Sequence, residues 1–180
     1  PVCSSALSCN GEILINKESY EGQSHASLLG VFVHEIMSYA RQNNLKIDAI
    51  AVSSGPGSYT GLRIGVSEAK GLCYGLNIPM IAIPTAKIMA SMMRDRVDEG
   101  TLLCPMIDAG RMEVYATFYD RSLNVVRDTS ADIIESNTYD NLLDEYKIAF
   151  FGNGSNKCKE VSTHSNAMFF EDVHPLALAM

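Results

Sequence analysis

Residues Gly55 to Arg63 read Gly-Pro-Gly-Ser-Tyr-Thr-Gly-Leu-Arg, directly after the apolar run Ala49-Ile50-Ala51-Val52 and ahead of a helical pattern that extends to about Gly75. Glycine and proline at this density break both strand and helix, so the chain must turn here from one to the other. A strand, a glycine-rich turn and a helix in succession imply an α/β architecture. They also aim the free N–H groups and positive dipole end of the helix at one point, where an anion is favoured.

The spacing of the turn fits none of the common phosphate or nucleophile motifs. A Walker loop requires Gly, four residues, then Gly-Lys-Ser/Thr, but the position five after Gly55 is Thr60 and no lysine follows. A dinucleotide fingerprint accepts Gly55 and Gly57, yet its third glycine falls one residue late, at Gly61. The Gly-x-Ser-x-Gly elbow fails because Ser58 has Pro56 and Thr60 at the required glycine positions. Gly55, Gly57, Ser58 and Thr60 remain the candidates for a phosphate contact, and a plain strand-to-helix turn is the alternative.

Charge and cysteine usage narrow the function class. The 14 basic and 21 acidic residues give a net charge of −7 without a basic cluster, which argues against independent nucleic-acid binding. The 5 cysteines are scattered and form no Cys-x-x-Cys pair, a pattern of reduced thiols in a cytoplasmic protein rather than a disulfide framework or zinc site. No apolar run is long enough to span a bilayer. Strand-like sequence directly after Pro1 and helix-like sequence over His174–Met180 point to a polypeptide continuing beyond both ends.

Asn10-Gly11 between the extended runs Val2–Ser8 and Ile13–Ser19 predicts a β-hairpin. A helix is predicted over about Ser24–Asn43, with Leu28, Phe32, Ile36 and Ala40 on one face and Leu29, Val33 and Met37 beside them. That face is broad enough to cover a sheet and leave surface for a partner. A strand over Asp48–Ser53, the glycine turn, a helix to Gly75, a strand over Met80–Ile83 and a helix from Thr85 toward Val97 complete an N-terminal lobe, residues 1–104. Thr85 and Thr60 are both candidate helix caps.

A second block begins near Thr101, with the boundary to the second lobe, residues 105–180, placed near Cys104, and it opens with a strand over Leu102–Asp108. Ala109-Gly110-Arg111 turns it into a second strand over Glu113–Tyr119. Further strands are predicted at Asn124–Arg127 and Lys147–Gly152, with a helix over Thr138–Tyr146. The two blocks repeat one topology, which suggests a duplicated lobe, although no sequence repeat is evident between them.

Few side chains are placed for chemistry. His25, His34, His164 and His174 make no His-x-x-x-His or His-Glu-x-x-His pair, so no metal site is expected. Asp108 ends a strand, where a catalytic carboxylate can sit; an ion pair with Arg111 bracing the hairpin is the alternative. Gly61, Gly65 and Ala69 form a small-residue stripe, suited either to packing on the protein's own sheet or to docking of another helix.

Gly55-Pro56-Gly57-Ser58-Tyr59-Thr60-Gly61-Leu62-Arg63-Ile64-Gly65-Val66-Ser67, with Ala69-Lys70-Gly71-Leu72 and Tyr74-Gly75-Leu76, closely resembles the signature of the bacterial TsaB family, also called YeaZ. Asp108–Tyr115 resembles that family's second motif, and Ser24-His25 with Leu28-Leu29 its first-helix motif. The similarity spans Val2 to about Tyr119. It implies a two-lobed actin-like, ribonuclease-H-like α/β fold. It further implies a cytoplasmic accessory role in making threonylcarbamoyladenosine at position 37 of tRNAs that read codons beginning with A. In that pathway the relative TsaD carries the metal and the transfer chemistry, and TsaE is an accessory ATPase.

The resemblance thus implies a non-catalytic partner of TsaD without cofactor or metal of its own, meeting tRNA only through the complex and able to form a homodimer. His25, Leu29, Phe32, Ile36, Gly61, Arg63, Gly65 and Ala69 are the expected interface. The family opens with a strand ending in an acidic-Thr-Ser turn, and this sequence starts just after the corresponding point. The competing expectation is an actin-like phosphotransferase or hydrolase, the old glycoprotease label, with nucleotide phosphate on the Gly55–Arg63 turn.

Overall fold

A computed structural model of the chain describes residues 2–21 and 25–180, with the side chains of residues 25 and 26 outside the description. Two compact units form: residues 1–85 together with 175–180, and residues 86–174. The division falls at Thr85/Ala86, whereas the sequence places the lobe boundary at 104/105. Its cause is the helix that follows Thr85: Ala86, Met89, Ala90 and Met93 are buried in an apolar cluster with Leu103, Ile107 and Phe151 of the second unit.

The first unit begins with the hairpin of β1 (Cys3–Cys9) and β2 (Glu12–Ser19), antiparallel from Cys3↔Ser19 to Cys9↔Glu12. Asn10 (φ 51) and Gly11 (φ 84) both take left-handed backbone, as the tightest hairpin turns require. Helix α1 (His25–Gln42) packs on both strands of the hairpin. Strand β3 (Ile50–Ser53) runs parallel to β4 (Met80–Ile83), and α2 (Tyr59–Leu76) crosses between them and packs on both. Helices α1 and α2 touch. Helix α2 ends where Asn77 adopts φ 54 and its N–H reaches the Cys73 carbonyl.

The second unit starts with α3 (Thr85–Met93, of which Thr85 belongs to the first unit), followed by a 3₁₀ turn at Arg94–Arg96. Its sheet has five strands: β5 (Leu102–Asp108), β6 (Glu113–Tyr119), β7 (Val125–Ile133), β8 (Ile148–Phe151) and β9 (Ala167–Phe170), in the order β7-β6-β5-β8-β9. The β5–β6 and β6–β7 pairs are antiparallel, and β5–β8 and β8–β9 are parallel. Short helices α4 (Asp140–Leu143) and α5 (Ser155–Val161) complete it. Successive β5 residues face opposite sides. Leu102, Cys104 and Met106 join Phe118, Phe150 and Tyr139 in one cluster, while Leu103 and Ile107 join Met89 and Phe151 in the other.

Several sequence boundaries shift. The strand expected to stop at Arg127 continues to Ile133 because its polar residues find partners: Thr129 with Thr117 at 2.7 Å, Ser130 with Asp132 at 2.7 Å, and Arg127 with Asp132. The helix expected over Thr138–Tyr146 is a single turn, α4. Helix α5 and strand β9 answer to no sequence expectation.

Candidate functional site

The glycine turn is fastened from within the first unit. Gly55 (φ 98) offers its carbonyl to the Thr85 N–H at 2.9 Å, and the Ser54 N–H donates to the Ile83 carbonyl at 2.9 Å. The Ser53 and Thr85 hydroxyls meet at 2.6 Å. Helix α2 is capped by Ser58, whose Oγ accepts from the Gly61 N–H at 3.3 Å, while its carbonyl accepts from the Leu62 N–H at 2.8 Å. Thr60, expected as a cap, lies inside α2, because the helix begins at Tyr59. Thr85 likewise spends its hydroxyl on Ser53 rather than on its helix.

Arg63 extends its guanidinium over the exposed Tyr59 ring, 5.4 Å from the centroid. Within the turn Ser58 is thus engaged as a cap, and the Arg63 guanidinium lies on an aromatic face.

On the two helices, the expected interface residues divide. Ile36 and Ala69 are buried at 6% and 4% exposure, and a Cβ on Gly65 would lie 3.9 Å from Val52 of β3. Gly65 thus faces β3 of the protein's own sheet, and Ala69, one turn on, is buried. Leu29 and Phe32 are half-buried, and Gly61 and Arg63 are exposed. The side chain of His25 lies outside the described residues.

The open small-residue surface is a second row of α2. Met37 of α1 with Ser67, Gly71, Leu72 and Gly75 of α2 line a groove of about 380 Å³. A Cβ on Gly71 or Gly75 would meet nothing within 4 Å, and Tyr74 beside them is 92% exposed. Gly71 and Gly75 fall within the family signature but outside the interface expected from the sequence. Their i, i+4 spacing is the signal that marks them.

Asp108 pairs with Lys157, not with Arg111. The Lys157 ammonium donates to Asp108 Oδ1 at 2.5 Å and to the Glu113 carbonyl at 2.8 Å, and the Gly110 N–H donates to Asp108 Oδ1 at 2.7 Å. The Lys157 hydrogen bond, followed by that from Gly110, holds the Asp108 carboxyl below its ordinary pKa. Arg111 sits at φ 43 in the turn and is exposed. His164 is held by Asp144 at 3.3 Å and accepts from the Asn166 N–H at 3.2 Å. Among the described residues no group of three or more His, Cys, Asp or Glu could hold a metal ion, and no helix is long and apolar enough to cross a membrane.

Known proteins share sequence with this chain. The protein named tRNA threonylcarbamoyladenosine biosynthesis protein TsaB from Escherichia coli (strain K12) is 34% identical over 122 residues, covering 68% of this chain and 52% of that protein. TsaB from Bacillus subtilis (strain 168) is 35% identical over 101 residues, 56% of this chain and 43% of the relative. The family model described as TsaD, tRNA N6-adenosine threonylcarbamoyltransferase, matches residues 15–173.

The chain belongs to the TsaD family, in its TsaB (YeaZ) branch.

It spans about half the length of the curated TsaB proteins it matches. The solved structure titled YeaZ from Pseudomonas aeruginosa superposes with a TM-score of 0.76 at 21% identity, over 99% of this chain and 82% of that one. An uncharacterized protein with similarity to peptidase YEAZ from the same organism superposes with a TM-score of 0.82 at 22% identity, with the same coverage. The fold is therefore that of the YeaZ structures, a mixed α/β architecture.

Proposed function

We propose that this TsaB-branch chain is a non-catalytic partner of TsaD in threonylcarbamoyl transfer to adenosine 37 of tRNAs reading codons that begin with A. The observation that carries the reading is the groove between α1 and α2, where Gly71 and Gly75 leave room for a second helix to approach closely. TsaD is the proposed occupant; a second copy of this chain takes the same face when TsaD is absent. TsaE joins as accessory ATPase, and tRNA is met through the complex, in keeping with the acidic balance of the chain. Leu29, Phe32, Gly61 and Arg63 are proposed to flank the groove contact.

The phosphotransferase or hydrolase reading has less behind it. Ser58 is engaged as a helix cap and Asp108 is engaged by Lys157.

The test is co-expression with TsaD and a tRNA-modification assay that omits each partner in turn. Gly71→Trp should abolish co-purification with TsaD and lower tRNA modification, with the circular dichroism spectrum unchanged because the new side chain enters open space. Full co-purification of the Trp variant would sink the groove as the docking face. Modification by TsaD at the same rate without this chain would sink the partner role itself.

A further inference from the structure

The groove between α1 and α2 is lined by small and apolar side chains with one charged exception. Met37, Gly71, Leu72, Gly75 and Leu76 bring no strongly polar group, Ser67 brings a hydroxyl, and Glu68 brings a carboxylate. Glu68, Gly71, Leu72 and Gly75 stand at i, i+3, i+4 and i+7. The carboxylate therefore shares one face of α2 with the two glycines that leave the groove open. Glu68 is half-buried, and among the described residues nothing pairs with it.

The other charged groups of the two helices are placed elsewhere. Glu35 of α1 is paired with Lys17 of β2 at 2.5 Å. The Arg63 guanidinium lies over the Tyr59 ring. Lys70, two residues beyond Glu68, projects about 200° round the helix from it. Arg41 stands in the last turn of α1, where the helix dipole favours a cation.

While the groove is open, water solvates the Glu68 carboxylate and its charge costs little. Docking removes that water. A carboxylate buried without a counter-charge is expensive, whereas one that meets a cation fixes register and partner choice. A helix without a donor at that height is thus rejected.

We propose that Glu68 sets the specificity of the groove, whose occupant is a partner helix with an arginine or lysine about one turn from a small residue. The small residue lies on Gly71 and Gly75, and the cation meets Glu68. The inference rests on the reading of the groove as the TsaD docking face, and it names what TsaD must present there. A second copy of this chain brought groove to groove adds a second Glu68 to the same apolar space, which makes self-pairing the weaker association.

The test measures the dissociation constant for TsaD, and self-association by sedimentation, in the wild type, Glu68→Gln and Glu68→Leu. Both variants should weaken TsaD binding by about tenfold or more, because each leaves the partner's cation unpaired. Both should tighten self-association, because the like charge is gone. Wild-type binding to TsaD should also weaken more steeply with rising salt than binding by Glu68→Leu. Unchanged or tighter TsaD binding by Glu68→Leu overturns the proposal, since the carboxylate would then be merely tolerated. Self-association that weakens in Glu68→Gln, with an equal loss in Arg41→Gln, also overturns it, by assigning the carboxylate to Arg41 of a second copy. Gly71→Trp separates these results from failure of the groove itself. If Gly71→Trp blocks TsaD and the Glu68 variants bind as the wild type does, the docking face stands and its charge selection falls. If none of the three weakens TsaD binding, both fall.

Discussion

In the second unit every residue of β8 and all but the last of β5 are buried, whereas in the first unit no residue of β3 or β4 is. The strands are alike in composition: Ile-Ala-Val-Ser and Met-Ile-Ala-Ile against Ile-Ala-Phe-Phe. The difference lies in neighbours. Strand β8 is flanked by β5 and β9 and covered by apolar clusters on both faces, while β3 has one paired edge and one helix. Burial is a property of the completed layer, and each Å² kept from water contributes only about 25 cal/mol. A half-paired strand of the same residues therefore buries less apolar surface in this chain than β8 does.

The largest effect that could break this contrast is a core truncation made in each unit. Phe150 is fully buried and stacks on Tyr139 and Phe169 at 5.6 and 5.4 Å between centroids. Phe150→Ala should cost about 3–5 kcal/mol. Ile36→Ala on α1, where the side chain is 6% exposed, should fall at the low end of about 2–5 kcal/mol, because a loosely covered site can collapse around the change. Urea unfolding with a reporter in each unit would measure both. Equal costs would mean that the first unit is as tightly packed as the second.

A smaller effect comes from the glycines of the turns after β8 and β3. Gly152→Ala places a methyl against backbone at 2.4 Å and a side chain at φ 95, and should cost more than about 1 kcal/mol. Gly57→Ala meets only ordinary contact and should be neutral or stabilise by about 0.4–1 kcal/mol through the unfolded state. The two midpoints in urea test whether one motif is under load and the other free. A loss of similar size at Gly57 would erase the distinction.

What is legible in the sequence follows local rules, and what is hidden depends on neighbours. Asn10-Gly11 and the long apolar periodicity of α1 and α2 need no tertiary context, and they stand where the pattern puts them. The polar half of β7 reads as loop, because Thr129, Ser130 and Asp132 become strand residues only through cross-strand and side-chain bonds. Strand β9, Ala167–Phe170, is a short apolar run without alternation, which periodicity cannot assign.

At the candidate site the small-residue pattern of α2 is visible in the sequence, yet its facing is not. The rotation of the helix on β3 turns Gly65 inward and Gly71 outward. The Gly-x-Gly-Ser of Gly55–Ser58 recurs at Gly152–Ser155, but the recurrence is masked because Ser54 lengthens the first copy by one residue. Lys157 cannot be read as the partner of Asp108, since its place depends on the β8–α5 turn meeting the end of β5.

The smallest effect concerns that brace and is selective for the second unit. The Lys157 ammonium and the Gly110 N–H favour the ionised Asp108, so its pKa in the folded state lies below that in the unfolded chain. A depressed carboxylate contributes stability that is present above the unfolded value of about 3.9 and is lost as pH falls through the folded value. The Asp108 side chain is 44% exposed, so solvent screening limits the contribution to under about 1 kcal/mol. Asp108→Asn should therefore lower the urea midpoint of the second unit slightly at pH 7, with the gap closing as pH falls below about 4. The reporter in the first unit should not respond. A gap that persists at about pH 2, below the unfolded value, would show that the aspartate braces the turn by shape, through its bond from Gly110, and not by charge.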